Sequence, residues 1–284
     1  ISLFLPLAVA PSLVFAVMIY AASPKGPMAN AAESLGQFIE MGDLNGQEIA
    51  GNTSELLDPD TPLAQRYRIA TRKGFFLFLV LYQGFFVLIT CSTVGSGLIA
   101  RDMRSNALEV YLTKPISRID YVLGKLAVIA AFVFLVTFVP SGILFLVASA
   151  LLPDFFTSSW VVLPPLLGSC LVASVVNGMV ILALSSLAKS ARFAAVIWFA
   201  LCFLSWVVGS LLYELTNKPA YYFLSYRASF EFVFDKFFDA GIVASWVGTE
   251  TPISPFVPCG ILVGWVCGAA LVLRLAHSPP MPSL

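Results

Sequence analysis

The charged residues between positions 99 and 125 are those whose types and spacing could carry a function. Arg101, Asp102, Arg104 and Glu109 follow one another within one short polar stretch between two long apolar runs. Charged side chains in such a pattern form ion pairs and charge-assisted hydrogen bonds. The chemistry they indicate is recognition of a partner at a membrane surface, and not the making or breaking of bonds.

Catalytic and metal-binding patterns are missing from the sequence. His277 is the only histidine, so a Ser-His-Asp triad is unavailable and a zinc or haem site is disfavoured. No Gly-x-x-x-x-Gly-Lys-Ser/Thr phosphate loop occurs. We interpret the scattered cysteines as buried structural thiols: Cys91, Cys170, Cys202, Cys259 and Cys267. The sequence therefore predicts a chain that is not an enzyme and holds no metal or cofactor of its own.

The composition predicts an integral membrane protein. The chain has 284 residues, of which 59% are hydrophobic and 11% charged, and its mean hydropathy is +0.90. A soluble domain carries about 25% charged residues. The polar surface is thus too small to cover a globule in water, and the zero net charge gives no indication of a nucleic-acid partner.

Six apolar runs reach the length of about 20 residues that a membrane-spanning helix needs. The runs are continuous and do not alternate with polar residues, which favours helices over barrel strands. We therefore predict an all-α integral membrane protein with six transmembrane helices. Their approximate bounds are 1–21, 74–100, 122–152, 160–188, 193–215 and 256–274.

The distribution of Lys and Arg predicts the orientation. Basic residues are denser in 101–125, 189–192 and the tail 274–284 than in the remaining loops 22–73, 153–159 and 216–255. The first group and both termini are therefore expected in the cytoplasm, with the protein in the inner (plasma) membrane. One cluster argues locally against this orientation, because it precedes the second span on the outer side: Arg66, Arg68, Arg72 and Lys73.

The outer stretch 216–255 is rich in aromatic residues, above all between 220 and 248, but carries too many charges to span a membrane. Two arrangements fit this composition: amphipathic helices lying at the interface, or a re-entrant pair that enters from outside. Its role is either an aromatic belt that anchors the protein or a gate over a transport path.

Residues 101–114 fit a short amphipathic helix on the cytoplasmic side. Leu108, Tyr111 and Leu112 share one helical face, whereas the charged residues point elsewhere. Pro115 ends the helix, since proline lacks the amide donor and restricts the residue before it. The residues alone leave a second interpretation open, namely a basic loop that only fixes the topology.

This stretch resembles the signature of type-2 ABC transporter permeases, the exporter class. Asn106 and Ala107 depart from that pattern, which favours Gly-Thr, and so does Arg104, where an acidic residue is common. The matching positions, with aspartate in place of glutamate at 102, are Ile99, Ala100, Arg101, Asp102, Leu108, Glu109, Pro115, Ser117, Arg118, Leu123, Gly124 and Lys125.

The resemblance implies that 1–284 is one transmembrane permease domain with a coupling helix at 101–114. It further implies two ABC ATPase subunits per complex, which bind ATP and Mg, and a second permease that is identical or related. Transport would proceed by alternating access in the lipid bilayer. The residues expected at the ATPase contact are Arg101, Asp102, Arg104, Leu108, Glu109, Tyr111, Leu112, Pro115 and Arg118.

Arg101 and Glu109 lie at the membrane edge, where a charge is costly unless it is paired or wet. Our hypothesis is that they hold the coupling helix to neighbouring helix ends or to the ATPase; solvated surface charges are the alternative. In the fourth span, Ser174, Asn177 and Gly178 are candidates for helix packing or for the substrate pathway.

Two other functions remain open: a non-transporting scaffold subunit of a larger membrane complex, and a secondary transporter. The apolar runs contain no ionisable residue at mid-span, which disfavours the secondary transporter.

Overall fold

The computed structural model describes residues 62–105, 118–151, 155–240 and 256–276. The regular elements in these ranges are helices, joined in places by single 3₁₀ turns. The α-helices are α1 (Pro62–Thr93), α2 (Ala100–Arg104), α3 (Arg118–Leu151), α4 (Phe155–Ser158), α5 (Leu163–Leu187), α6 (Ala191–Thr216), α7 (Pro219–Tyr222), α8 (Tyr226–Phe238) and α9 (Phe256–Ala276).

Five segments of the described chain are long and apolar enough to cross a membrane. They coincide with five of the six predicted runs, and they establish an all-helical, multi-pass membrane protein. The predicted span 1–21 and most of the predicted outer loop 22–73 lie outside the described residues. The five segments are Lys73–Asp102, Ile119–Ala150, Trp160–Leu187, Ala191–Thr216 and Phe256–Arg274.

Helix α5 lies at the centre of the bundle and α6 at its edge. Inside the protein, 67% of the α5 span is buried but only 11% of the α6 span. Helix α5 contacts α1, α3, α6, α8 and α9. Small residues on α5 permit this packing: a Cβ on Gly178 would lie 3.0 Å from Leu126 and 3.2 Å from Ile129, both on α3.

One end of the bundle gathers positive charge, and we call it the basic end. Helix α2 and the start of α3 lie there, and so does the short turn from α5 to α6. Ser190 caps α6 in that turn, since its hydroxyl accepts a hydrogen bond from the Phe193 N–H at 3.3 Å. The basic end is defined by Arg101, Arg104, Lys125, Lys189 and Arg192.

The aromatic segment after α6 enters the bundle and returns to the end that it came from. Its backbone reaches mid-depth, because the Tyr226 N–H donates to the Ser205 hydroxyl, halfway along α6, at 3.3 Å. Helix α8 then leads back to Asp239, 3.9 Å from Lys73 at the end opposite the basic end. With 13 residues α8 is about 20 Å long, too short to span a bilayer core of about 30 Å. Up to residue 240, the described part of the segment follows a re-entrant path, which is one of the two predicted arrangements.

Candidate functional site

The first described span breaks just before the charged stretch. Helix α1 ends at Thr93 and a 3₁₀ turn follows at Gly95–Gly97, so the predicted span 74–100 is not one continuous helix. Hydroxyls in its last turns bond to the carbonyls four residues earlier, as Thr90 does to Phe86 at 2.8 Å. Such bonds bend helices, and glycine in the next turn weakens helix propagation further. The sequence thus places a break where the chain leaves the bundle.

Ser185 near the end of α5 satisfies the backbone groups that this break leaves open. Its hydroxyl accepts hydrogen bonds from the N–H groups of Ile99 at 3.1 Å and Ala100 at 3.0 Å. The same hydroxyl donates to the Ser96 carbonyl at 2.8 Å. Ser185 is fully buried, and an unpaired buried backbone group is costly. The break is therefore fixed to α5.

Asp102 fixes the other side of α2 to α3. Its Oδ2 atom lies 2.7 Å from the Lys125 Nζ and accepts a hydrogen bond from the Tyr121 hydroxyl at 2.8 Å. The side chains of Asp102 and Lys125 are only 18% and 23% exposed, which shields the pair from solvent. The two ends of the motif, 23 positions apart in the sequence, thus meet in space.

The other predicted contact residues divide into two groups. Arg101 and Arg104 are exposed on α2, and the Arg101 guanidinium packs over Gly97, where an added Cβ would lie 2.7 Å from its Nε. Arg118 begins α3. Of the predicted coupling helix 101–114, only the part up to 105 is described. The residues outside the described ranges are Leu108, Glu109, Tyr111, Leu112 and Pro115.

Sequence reasoning did not assign a role to Tyr121, Lys125 or Ser185. Lys125 closes the motif, and an acidic residue at its start with a lysine at its end was a usable signal for pairing. Ser185 had no comparable signal, because one serine in an apolar helix does not reveal which backbone groups it meets. Together α2, the start of α3 and the end of α5 form a junction, which we call the basic-end junction.

Substitution of Ser185 by alanine is expected to destabilise the basic-end junction. Two N–H groups and one carbonyl lose their buried partner, at a cost of about 1–3 kcal/mol. The readout is the midpoint of thermal unfolding of the purified protein in detergent. Ser186→Ala is the matched control, because among the described residues the Ser186 hydroxyl bonds only to the Ala183 carbonyl of its own helix. Equal midpoints for the two variants would contradict the role given to Ser185.

A cavity of about 370 Å³ lies among α1, α3, α5, α6 and α8. Its walls are mainly aromatic and aliphatic, and it opens between α1 and α6. Phe85 and Phe203 line it and are 62% and 60% exposed, so they stand at the opening. The aromatic segment contributes α8 to the wall.

Asn177 lies at the back of this cavity and links α5 to the re-entrant helix. Its Oδ1 accepts a hydrogen bond from the Tyr226 hydroxyl at 3.1 Å, and its Nδ2 donates to the Ala173 carbonyl at 2.7 Å. Ser174 faces its own helix, donating to the Cys170 carbonyl at 2.6 Å. Of the three candidates on this span, Asn177 lines the cavity, whereas Ser174 and Gly178 are not among its lining residues.

The apolar runs contain no ionisable residue at mid-span, but the re-entrant helix brings an ion pair to that depth. Arg227 follows Tyr226 at the inner tip of the re-entrant helix, and its Nε donates to Glu231 Oε1 at 2.6 Å. The Glu231 side chain is 8% exposed and that of Arg227 73%. The sequence did not reveal the depth of this pair, because the stretch 216–255 is too polar to be a span. The described part of its backbone nevertheless enters the bundle.

Comparison with known proteins identifies a protein family. A family model described as ABC-2 family transporter protein matches residues 2–274. The search of curated proteins found no match. The family match covers all five described spans, the basic-end junction and the re-entrant helix.

Proposed function

Because the chain belongs to the ABC-2 family of transporter proteins, we propose that this membrane permease is moved by separate ABC ATPase subunits. The working complex holds two such subunits, which bind and hydrolyse ATP with Mg, and a second permease, identical or related. The basic end and both termini face the cytoplasm of a cell whose inner membrane holds the complex. Cargo crosses by alternating access between the two membrane halves.

The basic-end junction is the observation that carries this proposal. Helix α2 is held on one side by Ser185 of α5 and on the other by Lys125 of α3. The predicted coupling residues 106–114 continue directly from α2. A displacement of that segment by an ATPase therefore acts on two spans at once.

The basic-end junction is connected to the cavity through helix α5. Ser185 and Asn177 lie on one helix, eight positions and about 12 Å apart. Asn177 bonds to Tyr226 of the re-entrant helix. Because α5 contacts α1, α3, α6, α8 and α9, a shift at its basic end is passed along the helix as a whole. The contact that would open or close the cavity is the one between α5 and α8.

Co-purification tests the function directly. The tagged chain from native membranes is expected to bring down an ATP-binding subunit, and the reconstituted complex should hydrolyse ATP in a vanadate-sensitive manner. A stable complex without turnover would support the scaffold alternative instead. Transport by the chain alone, driven by an ion gradient, would support the secondary transporter.

Reversal of Glu109 to lysine is expected to lower substrate-stimulated ATPase activity without preventing membrane insertion. The predicted contact loses its acidic group and gains a like charge beside the basic residues of α2. The measurement compares stimulated hydrolysis in proteoliposomes. Glu214→Lys is the control, because Glu214 is exposed near the far end of α6. Unchanged stimulation in the Glu109 variant would remove this residue from the mechanism.

A further inference from the structure

Two cavities with different chemistry adjoin at the tip of the re-entrant helix. The larger is the apolar cavity described above. The smaller, of about 340 Å³, lies between α6 and the segment from Tyr222 to Glu231; we call it the polar recess. Trp206, Arg227 and Glu231 line both cavities. An elongated ligand can therefore occupy both at once.

Away from the tip that it shares with the polar recess, the larger cavity has the polar groups of Asn177, Thr137 and Trp198 in its wall, and these are already hydrogen-bonded within the protein. Both amide atoms of Asn177 are hydrogen-bonded, and the Thr137 hydroxyl donates to the Val133 carbonyl at 3.0 Å. The Trp198 indole N–H donates to the Leu88 carbonyl at 3.2 Å. A polar ligand group placed there would lose its water without gaining a partner. The larger cavity thus suits an apolar chain.

The polar recess offers hydrogen-bond donors to a ligand. Glu231 accepts from the Arg227 Nε and so fixes the plane of the guanidinium. In the described part of the chain, the two terminal nitrogens of Arg227 have no hydrogen bond. Tyr222 and Trp206 add a hydroxyl and an indole N–H to the lining. A guanidinium held in this way matches the paired oxygens of a carboxylate or phosphate.

The depth of Arg227 and the volume of the larger cavity narrow the class of ligand that fits the site. Arg227 lies at mid-depth, where a charge requires a partner or a wet cavity. Glu231 is already committed to Arg227, which disfavours a cationic ligand. A volume of about 370 Å³ is near the lower end of the range of about 300–1,000 Å³ for small-molecule sites. One apolar chain suits this volume better than the two chains of a phospholipid.

We propose that the cargo of this permease is a single-chain amphiphile with an anionic head group. Its chain occupies the larger cavity and its carboxylate or phosphate binds Arg227 in the polar recess. This assignment rests on the proposed transport function, but binding itself does not require the ATPase.

Binding is measured on the purified chain in zwitterionic nanodiscs by quenching of tryptophan fluorescence. The probes are dibromostearate and the amine with the same brominated chain; Trp198 and Trp206 line the site that they would enter. The wild-type chain is expected to bind the anionic probe about tenfold more tightly than the amine. The double variant R227Q/E231Q should lose that preference and retain the amine affinity. This double variant removes both charges of the ion pair, so that no unpaired buried charge remains.

The control K236Q/D239N removes one basic and one acidic residue from the other end of the same segment. Neither residue lines the two cavities, so both affinities should stay at the wild-type values. Wild-type preference for the amine would overturn the proposal. The proposal would also be overturned if R227Q/E231Q kept its affinity for the anionic probe. The same holds if that variant lost affinity for both probes equally.

A second measurement distinguishes a transported cargo from a ligand that only binds. In the complex with its ATPase, a fatty acid should stimulate vanadate-sensitive hydrolysis, whereas anionic phospholipid in the membrane should not. Binding without stimulation, or stimulation by the phospholipid, would contradict the assignment as cargo. If no ATPase associates at all, the proposed function fails while the binding result still stands.

Discussion

Reversing either charge of the Asp102–Lys125 pair is expected to reduce ATP-driven transport at least about tenfold, and exchanging the two charges should restore most of it. The pair joins α2 to α3 at 2.7 Å and is mostly buried. Each single reversal places two like charges together, at a cost of about 2–4 kcal/mol, between the values for exposed and buried pairs. The measurement is vanadate-sensitive transport in proteoliposomes for Asp102→Lys, Lys125→Asp and the double variant.

The pair Lys73–Asp239 provides the matched control. Its atoms are 3.9 Å apart and the Asp239 side chain is 92% exposed, so reversal of Asp239 should cost little. Rescue by the exchanged pair is the informative outcome, because it shows that the two charges act on each other and not singly. Absence of rescue, with the double variant well folded, would show that the pair does not transmit force.

Substitution of Gly209 by leucine is expected to abolish transport, because it displaces the re-entrant segment. A Cβ at this position on α6 would lie 3.0 Å from the Ser225 nitrogen and 3.2 Å from the Tyr222 oxygen. Both atoms are backbone, so they move only with the whole turn between α7 and α8. Overpacking of this kind costs about 1–3 kcal/mol and occasionally more. The measurements are transport and the melting midpoint.

Gly264→Leu is the control, because an added Cβ at Gly264 on α9 meets nothing within 4 Å in the part of the chain that the structure describes. Both substitutions raise the helix propensity of their segments by similar amounts, so the difference between them isolates the clash with the re-entrant turn. Similar transport in the two variants would contradict the role assigned to the re-entrant segment.

The sequence was sufficient for the spans and for the location of the charged stretch. Apolar runs of bilayer length carry a strong signal, and five of the predicted runs are helices in the structure. The family also followed from local residues, because the motif from Ile99 to Lys125 is contiguous. These features depend on neighbours in the sequence and not on the fold.

Pairings between distant residues could not be predicted in the same way. Asp102 meets Lys125, and Tyr226 meets Asn177 across 49 positions. The depth of Arg227 was hidden for a related reason: hydropathy reports whether a segment can span, but not whether a polar segment enters a bundle of other helices. The break before Ile99 was not predicted, although Gly95 and Gly97 were a usable signal for it, whereas Ser185, which closes the break, gave no signal.

Site-specific photo-crosslinking from Ser105 in native membranes tests the central claim most directly. Ser105 is exposed at the end of α2, where the chain continues into the predicted coupling segment. The account predicts a cross-link to an ATP-binding subunit from Ser105 and none from Lys218 at the opposite end of the bundle. An ATP-binding subunit captured from Lys218 but not from Ser105, or from neither position, would contradict it.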